Sequence, residues 1–131
     1  MRKFALLLVV VLFSSLILSA CAAAAESAGP EKSVEAYLNA LVNADADKMS
    51  TLSCPDWESS AMLELDSFQA VKASLADMKC TQSGTDGEKA LVACEGKIVT
   101  SYNGEASEIP LGSRTYELIQ SAGEWQVCGY R

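Results

Sequence analysis

The sequence predicts an α+β domain: about three N-terminal helices packed on a curved four-strand antiparallel meander. Three observations predict it. Apolar residues recur every three or four positions from Val34 to Leu75, the repeat shortens after Met78, and turn pairs such as Asn103-Gly104 punctuate the second half.

The first helix follows from Val34, Tyr37, Leu38, Leu41 and Val42, which share one face at i, i+3, i+4, i+7 and i+8. Pro30 suits its first turn, and Glu31 there complements the helix dipole. The stretch NADAD, Asn43 to Asp47, breaks the pattern, and Asp45 is placed to cap a short second helix carrying Met49 and Leu52. Pro55-Asp56 opens a third helix. Trp57, Ala61, Leu65, Phe68, Val71 and Leu75 keep its stripe, with Asp66-Ser67 as a point where it can split in two.

Four strand-like segments follow: KCTQS, KALVACEGKIVTSY, SEIPLGSRTYELIQ and EWQVCGY. Between them lie Thr85-Asp86-Gly87-Glu88, Asn103-Gly104 and Ala122-Gly123. Asn-Gly is a strong hairpin signal because both turn residues must tolerate positive φ. Pro110 cannot donate to a ladder, so it is expected at a bulge or a local edge.

The N-terminus reads as an export signal. Arg2 and Lys3 precede an uncharged run from Phe4 to Leu18, and Ser19-Ala20 supply small residues before Cys21. As a helix the run reaches about 22 Å, short of the roughly 30 Å hydrocarbon core; adding Ser19 to Ala25 makes a spanning helix just long enough. Leu18-Ser19-Ala20-Cys21 resembles the bacterial lipoprotein box. That resemblance implies a lipid on the Cys21 thiol and cleavage before it. The expected domains are therefore a signal peptide over 1–20, a lipidated Cys21 with an Ala-rich tether over 21–30, and one folded domain over 31–131. Either anchor leaves that domain outside the cytoplasm, at the cell membrane or envelope.

Composition excludes some classes. The formal charge of −7 becomes −9 when Arg2 and Lys3 leave with the signal, which disfavours nucleic acid and flat binding to anionic lipid. Without histidine or a paired C-x-x-C, the cysteines Cys54, Cys80, Cys94 and Cys128 do not form a zinc motif. An even number in an exported domain points to two disulfides. No metal or cofactor is expected, since phosphate-cradling glycine loops and nucleophile elbows are also missing.

VEAYLNALVNADADKMSTL, a Trp-bearing helix, hairpin-linked strands and a final GEWQVCGY resemble the nuclear transport factor 2-like, or cystatin-like cone, superfamily. Within it the chain is similar to small bacterial lipoproteins of uncharacterised role. The resemblance implies a cone whose concave sheet and helices can enclose a pocket, and it allows a homodimer through the convex sheet.

In a meander, Cys80 and Cys94 fall on neighbouring strands, while Cys128 on the last strand is not adjacent to the second. The expected pairs are Cys80–Cys94 and Cys54–Cys128. A strict two-residue Asp86-Gly87 turn would put Cys80 opposite Ala93, so the first pair needs an odd loop, such as Thr85 to Lys89, or a bulge.

Tyr37, Trp57, Asp66 and Tyr116 are the candidate pocket residues. Asp56, Glu58 and Glu64 are further acids and Tyr102 a further donor; Glu64 reads as a solvated helix face. None of these spacings demands catalysis, and no catalytic residue is assigned. Two function classes remain. One is a lipid-tethered, non-catalytic module that binds a protein or small molecule or supports envelope assembly. The other is an isomerase- or cyclase-type enzyme using a pocket Asp or Glu with Tyr.

Overall fold

The computed structural model describes residues 28–131. The expected signal peptide over 1–20, Cys21 and most of the expected tether lie outside the described residues. Among those described, no helix is long and apolar enough to cross a membrane.

Three helices come first: α1 (Pro30–Val42), α2 (Ala46–Thr51) and α3 (Pro55–Phe68). The stripe of α1 is buried at Val34, Tyr37, Leu38 and Leu41. Asp45 caps α2, its Oδ1 accepting from the Lys48 N–H at 3.1 Å. Helix α3 runs unbroken through Asp66-Ser67 and stops at Phe68, a correction at both points. Val71 and Leu75 are not helical. Val71, Ala73 and Leu75 alternate as well as they step, and pairing with a neighbouring strand decides for the period of two.

Five strands follow, not four: β1 (Lys72–Asp86), β2 (Lys89–Tyr102), β3 (Glu105–Pro110), β4 (Thr115–Ser121) and β5 (Glu124–Tyr130). The expected third strand is divided. Pro110 ends β3 opposite Lys97, a short 3₁₀ turn (Leu111–Ser113) buries Leu111, and the chain rejoins the edge of β2 at Thr115 opposite Ala93. The sheet order is β1-β2-β4-β5, with β3 also on β2. All pairs are antiparallel.

The long β1–β2 hairpin bends where Asp77 and Met78 bulge opposite Gly96. Gly96 has φ +93°, and a Cβ there would stand 2.5 Å from the carbonyl oxygens of Ala76 and Asp77. Only glycine fits that approach. The helices pack on the concave face, where Tyr37, Leu38 and Leu41 meet Val92, Ile98, Leu118 and Val127 in one buried cluster.

The structure brings Cys80 to Cys94 and Cys54 to Cys128, with Cα–Cα distances of 4.1 and 4.9 Å. The register correction for the first pair comes from a bulge at Ser83, not from an odd loop: the turn is the two-residue Gly87-Glu88, one position later than expected. The second pair sits beside a short parallel bridge, in which Cys54 N–H donates to Val127 O and Val127 N–H to Leu52 O, both at 2.8 Å. By the loop-entropy estimate the two links contribute roughly 3 and 4.5 kcal/mol. Thiol-specific alkylation of the unreduced protein is expected to label none of these four cysteines; two labelled thiols among them would overturn the pairing.

Candidate functional site

Tyr37 points inward from α1, Trp57 stands in the first turn of α3, and Glu64 lies two turns further along the same helical face. Tyr116 on β4 pairs across the sheet with Tyr130 at the end of β5. Arg114 links the 3₁₀ turn to β4. The α3 face therefore meets the inner face of the last two strands, and their polar groups join.

Trp57 Nε1–H donates to the Tyr37 hydroxyl at 3.2 Å, and that hydroxyl donates to Glu64 Oε2 at 3.3 Å. Arg114 Nη1–H donates to Glu64 Oε1. The guanidinium lies over the Tyr130 ring, 4.1 Å from its centre. Tyr130 meets Trp57 edge-on at 5.4 Å and Tyr116 at 5.8 Å; Tyr116 in turn meets Tyr37 at 6.2 Å. Gly129, with φ +147°, leaves room for the Trp57 ring, which a Cβ would touch at 3.7 Å. Four aromatic rings thus pack against one side of an ion pair.

Burial pushes the Tyr37 phenol well above its ordinary pKa, the Trp57 hydrogen bond opposes this, and Glu64 adds to the rise. Tyr116 is pushed up to about 12, again chiefly by burial and against the pull of the Arg114 charge. Burial also works against the Arg114 charge, but Glu64 outweighs it and holds the pKa above the usual value. Among the described residues the buried Tyr116 hydroxyl has no hydrogen-bond partner.

Of the four pocket residues expected from sequence, Tyr37, Trp57 and Tyr116 come together. Asp66 does not. It is exposed on the far side of α3, where Gln69 Nε2–H donates to it at 3.0 Å. The carboxylate at the site is Glu64, whose side chain is only 12% exposed; the reading of Glu64 as a solvated face is corrected. Its signal was the seven-residue step from Trp57. Arg114 and Tyr130 had no such signal, because their arrival depends on the 3₁₀ turn and on cross-strand register. Asp56 is exposed, Glu58 accepts from the Ser50 hydroxyl, and Tyr102 is exposed on the β2–β3 hairpin.

An open cleft of about 420 Å³ lies against the ion pair, between α3 and the β2–β3 arm. Arg114, Glu64 and Tyr130 form one part of its lining, and Leu63, Phe68, Ile98 and Ile109 another. A groove of about 500 Å³ runs past Lys32, Leu52 and Trp125, but Lys32 is there taken by Glu35 at 2.7 Å.

Solved structures with the same architecture include a candidate polyketide cyclase from Pseudomonas putida, at 17% identity and TM-score 0.53, covering 80% of this chain and 92% of that one. A candidate dehydratase of the NTF2-like family from Streptomyces avermitilis matches at 16% identity and TM-score 0.51, over 76% and 88% of the two chains. A SEC-C motif protein from Rhodopseudomonas palustris matches at 10% identity and TM-score 0.53, over 78% and 77%. The fold is the nuclear transport factor 2-like α+β cone. At these identities the likeness extends to the fold alone. No family model and no curated protein matches the chain.

The buried phenols give the cone an alkaline limit. Below pH 10 Tyr116 is neutral in both folded and unfolded chains, so stability is unaffected there. As the pH rises from 10 towards 12, the unfolded chain ionises first and stability falls, by about 2–3 kcal/mol for Tyr116. Chemical denaturation across this window is expected to show the loss in the wild type and a smaller loss in Tyr116→Phe; equal slopes would refute the assignment.

Proposed function

We propose that the chain is an exported lipoprotein, held at the membrane or envelope by a lipid on Cys21, whose cone domain binds a partner or ligand without catalysis. Two cysteine pairs at disulfide distance support residence in an oxidising compartment. The observation that carries the non-catalytic reading is the state of Glu64: one oxygen accepts from Tyr37 and the other from Arg114. A general base needs an oxygen facing substrate, and an oxyanion donor needs a free proton. Here the tyrosine closest to the carboxylate donates to it.

One observation favours the second reading, an isomerase- or cyclase-type enzyme: a carboxylate and a tyrosine do stand within hydrogen-bond distance at a cleft. Two structural neighbours, a candidate dehydratase and a candidate polyketide cyclase, are enzymes of small molecules.

Cys21→Ser is expected to move the protein from the membrane to the soluble fraction on cell fractionation; retention at full precursor length would replace the lipid anchor with a spanning helix. Glu64→Gln keeps an acceptor for Arg114 and tests the chemistry. In complementation of a deletion strain it is expected to work like the wild type. Lost complementation at unchanged Tm and with ligand binding in the cleft unchanged would transfer the protein to the enzyme class.

A further inference from the structure

We propose that the cleft beside Arg114 is a binding site for a small monocarboxylic acid with an apolar body. The inference rests on the binding-module reading and names its ligand class. A guanidinium carries five N–H donors in a rigid fork. Among the described residues, the side-chain hydrogen bond of Arg114 with good geometry goes to Glu64 Oε1, and the guanidinium also lies close enough to the Tyr116 hydroxyl to act on that phenol, so at most part of the fork is committed. The Arg114 side chain is 30% exposed and lines the cleft, where it is the one cationic group among the lining residues, beside Glu64, Ser60 and Ser67. The group is held in place from two sides, by the carboxylate and by the Tyr130 ring beneath it. Such a fork loses little freedom when it takes a second acceptor.

Beyond the ion pair and Tyr130 the lining is mixed: Ser60 and Ser67 stand on the α3 side, and four apolar side chains form the remainder. Leu63 is 72% exposed and Ile109 37%, with Phe68 and Ile98 behind them. Large side chains this exposed beside a fixed cation suit a ligand with one charged end and one oily end. The charge of that end is limited. Glu64 already shares the guanidinium, and the domain is strongly acidic, so a phosphate dianion would meet repulsion that a monoanionic carboxylate largely avoids. The volume, about 420 Å³, falls in the range of small-molecule sites.

Naphthoate is the probe, with naphthalenemethanol as its uncharged counterpart. Each is titrated into the full lipidated protein in nonionic micelles at neutral pH, and the methyl resonances of Ile98 and Ile109 are followed. The proposal expects saturable shifts with naphthoate and affinity for the alcohol about tenfold lower or worse. Glu64→Gln with Arg114→Gln removes both charges while leaving a hydrogen-bonded pair, and should abolish the preference for acid over alcohol. Leu63→Ser, at an exposed position that leaves the core alone, should weaken naphthoate severalfold. Equal affinity for acid and alcohol, undiminished naphthoate binding by the charge-free pair or by Leu63→Ser, or linear shifts without saturation would each overturn the proposal. Because Cys21→Ser fractionation is read separately, such a failure would leave the tethered-module reading standing.

Discussion

Every strand except β5 is hydrogen-bonded to β2, and β2 turns at Gly96. The close approach of the Ala76 and Asp77 carbonyls at this bend excludes any side chain, so the curvature of the sheet depends on one glycine and on the bulge facing it. On one side of the bend β2 carries β3 and the apolar pair Ile98 and Ile109; on the other it carries β4 and therefore Tyr116. A straight hairpin would spread these residues along a flat surface. The bend folds them toward α3, and the cleft is the space left between.

Enclosing polar groups in such a cone has a cost that the network offsets. Glu64 is 12% exposed, and a carboxylate so placed needs hydrogen-bond partners. Arg114 and Tyr37 supply them, and the four rings cover the inner side of the pair, which faces the cleft on the other. Because Arg114 is partly exposed, the pair is worth less than a fully buried one, on the order of 1–3 kcal/mol against leaving either group alone. What the arrangement secures is geometry. A guanidinium between a carboxylate and an aromatic face has one orientation, and the donors it does not spend inside are directed by that orientation.

Much of the fold was legible because it rests on local patterns. The α1 stripe, the Asp45 cap and the Asn103-Gly104 and Ala122-Gly123 turns each depend on a few neighbouring residues; positive φ suits Asn103, Gly104 and Gly123, whereas Ala122 adopts it against its own preference. The errors lie where a local pattern admits two answers. Val71 to Leu75 fits both periods until β2 is present to pair with it, and the bulge that aligns Cys80 with Cys94 is invisible without the opposing strand. The site divides in the same way. Trp57 and Glu64 share a helical face that the sequence contains, whereas Asp66, the acid expected at the pocket, is turned by two residues of helix roughly 200° away from that face. Arg114 and Tyr130 come from a break and a strand end whose positions only the assembled sheet defines.

The helix and the strands that form the cleft are also fixed to each other at one point. Cys54, the residue before α3, pairs with Cys128 on β5, and the backbone bridge through Val127 lies between them. Trp57 follows Cys54 by one helical turn and Tyr130 follows Cys128 by two residues, so the link stands next to the edge-on contact of these two rings. Tyr130 in turn supports the guanidinium of Arg114. A displacement of α3 along β5 would disturb the ring contact first and the ion pair next. The covalent pair and the two backbone bonds oppose that displacement, and the rigidity of the cleft's cationic end is thus inherited from a cross-link that never touches the cleft itself.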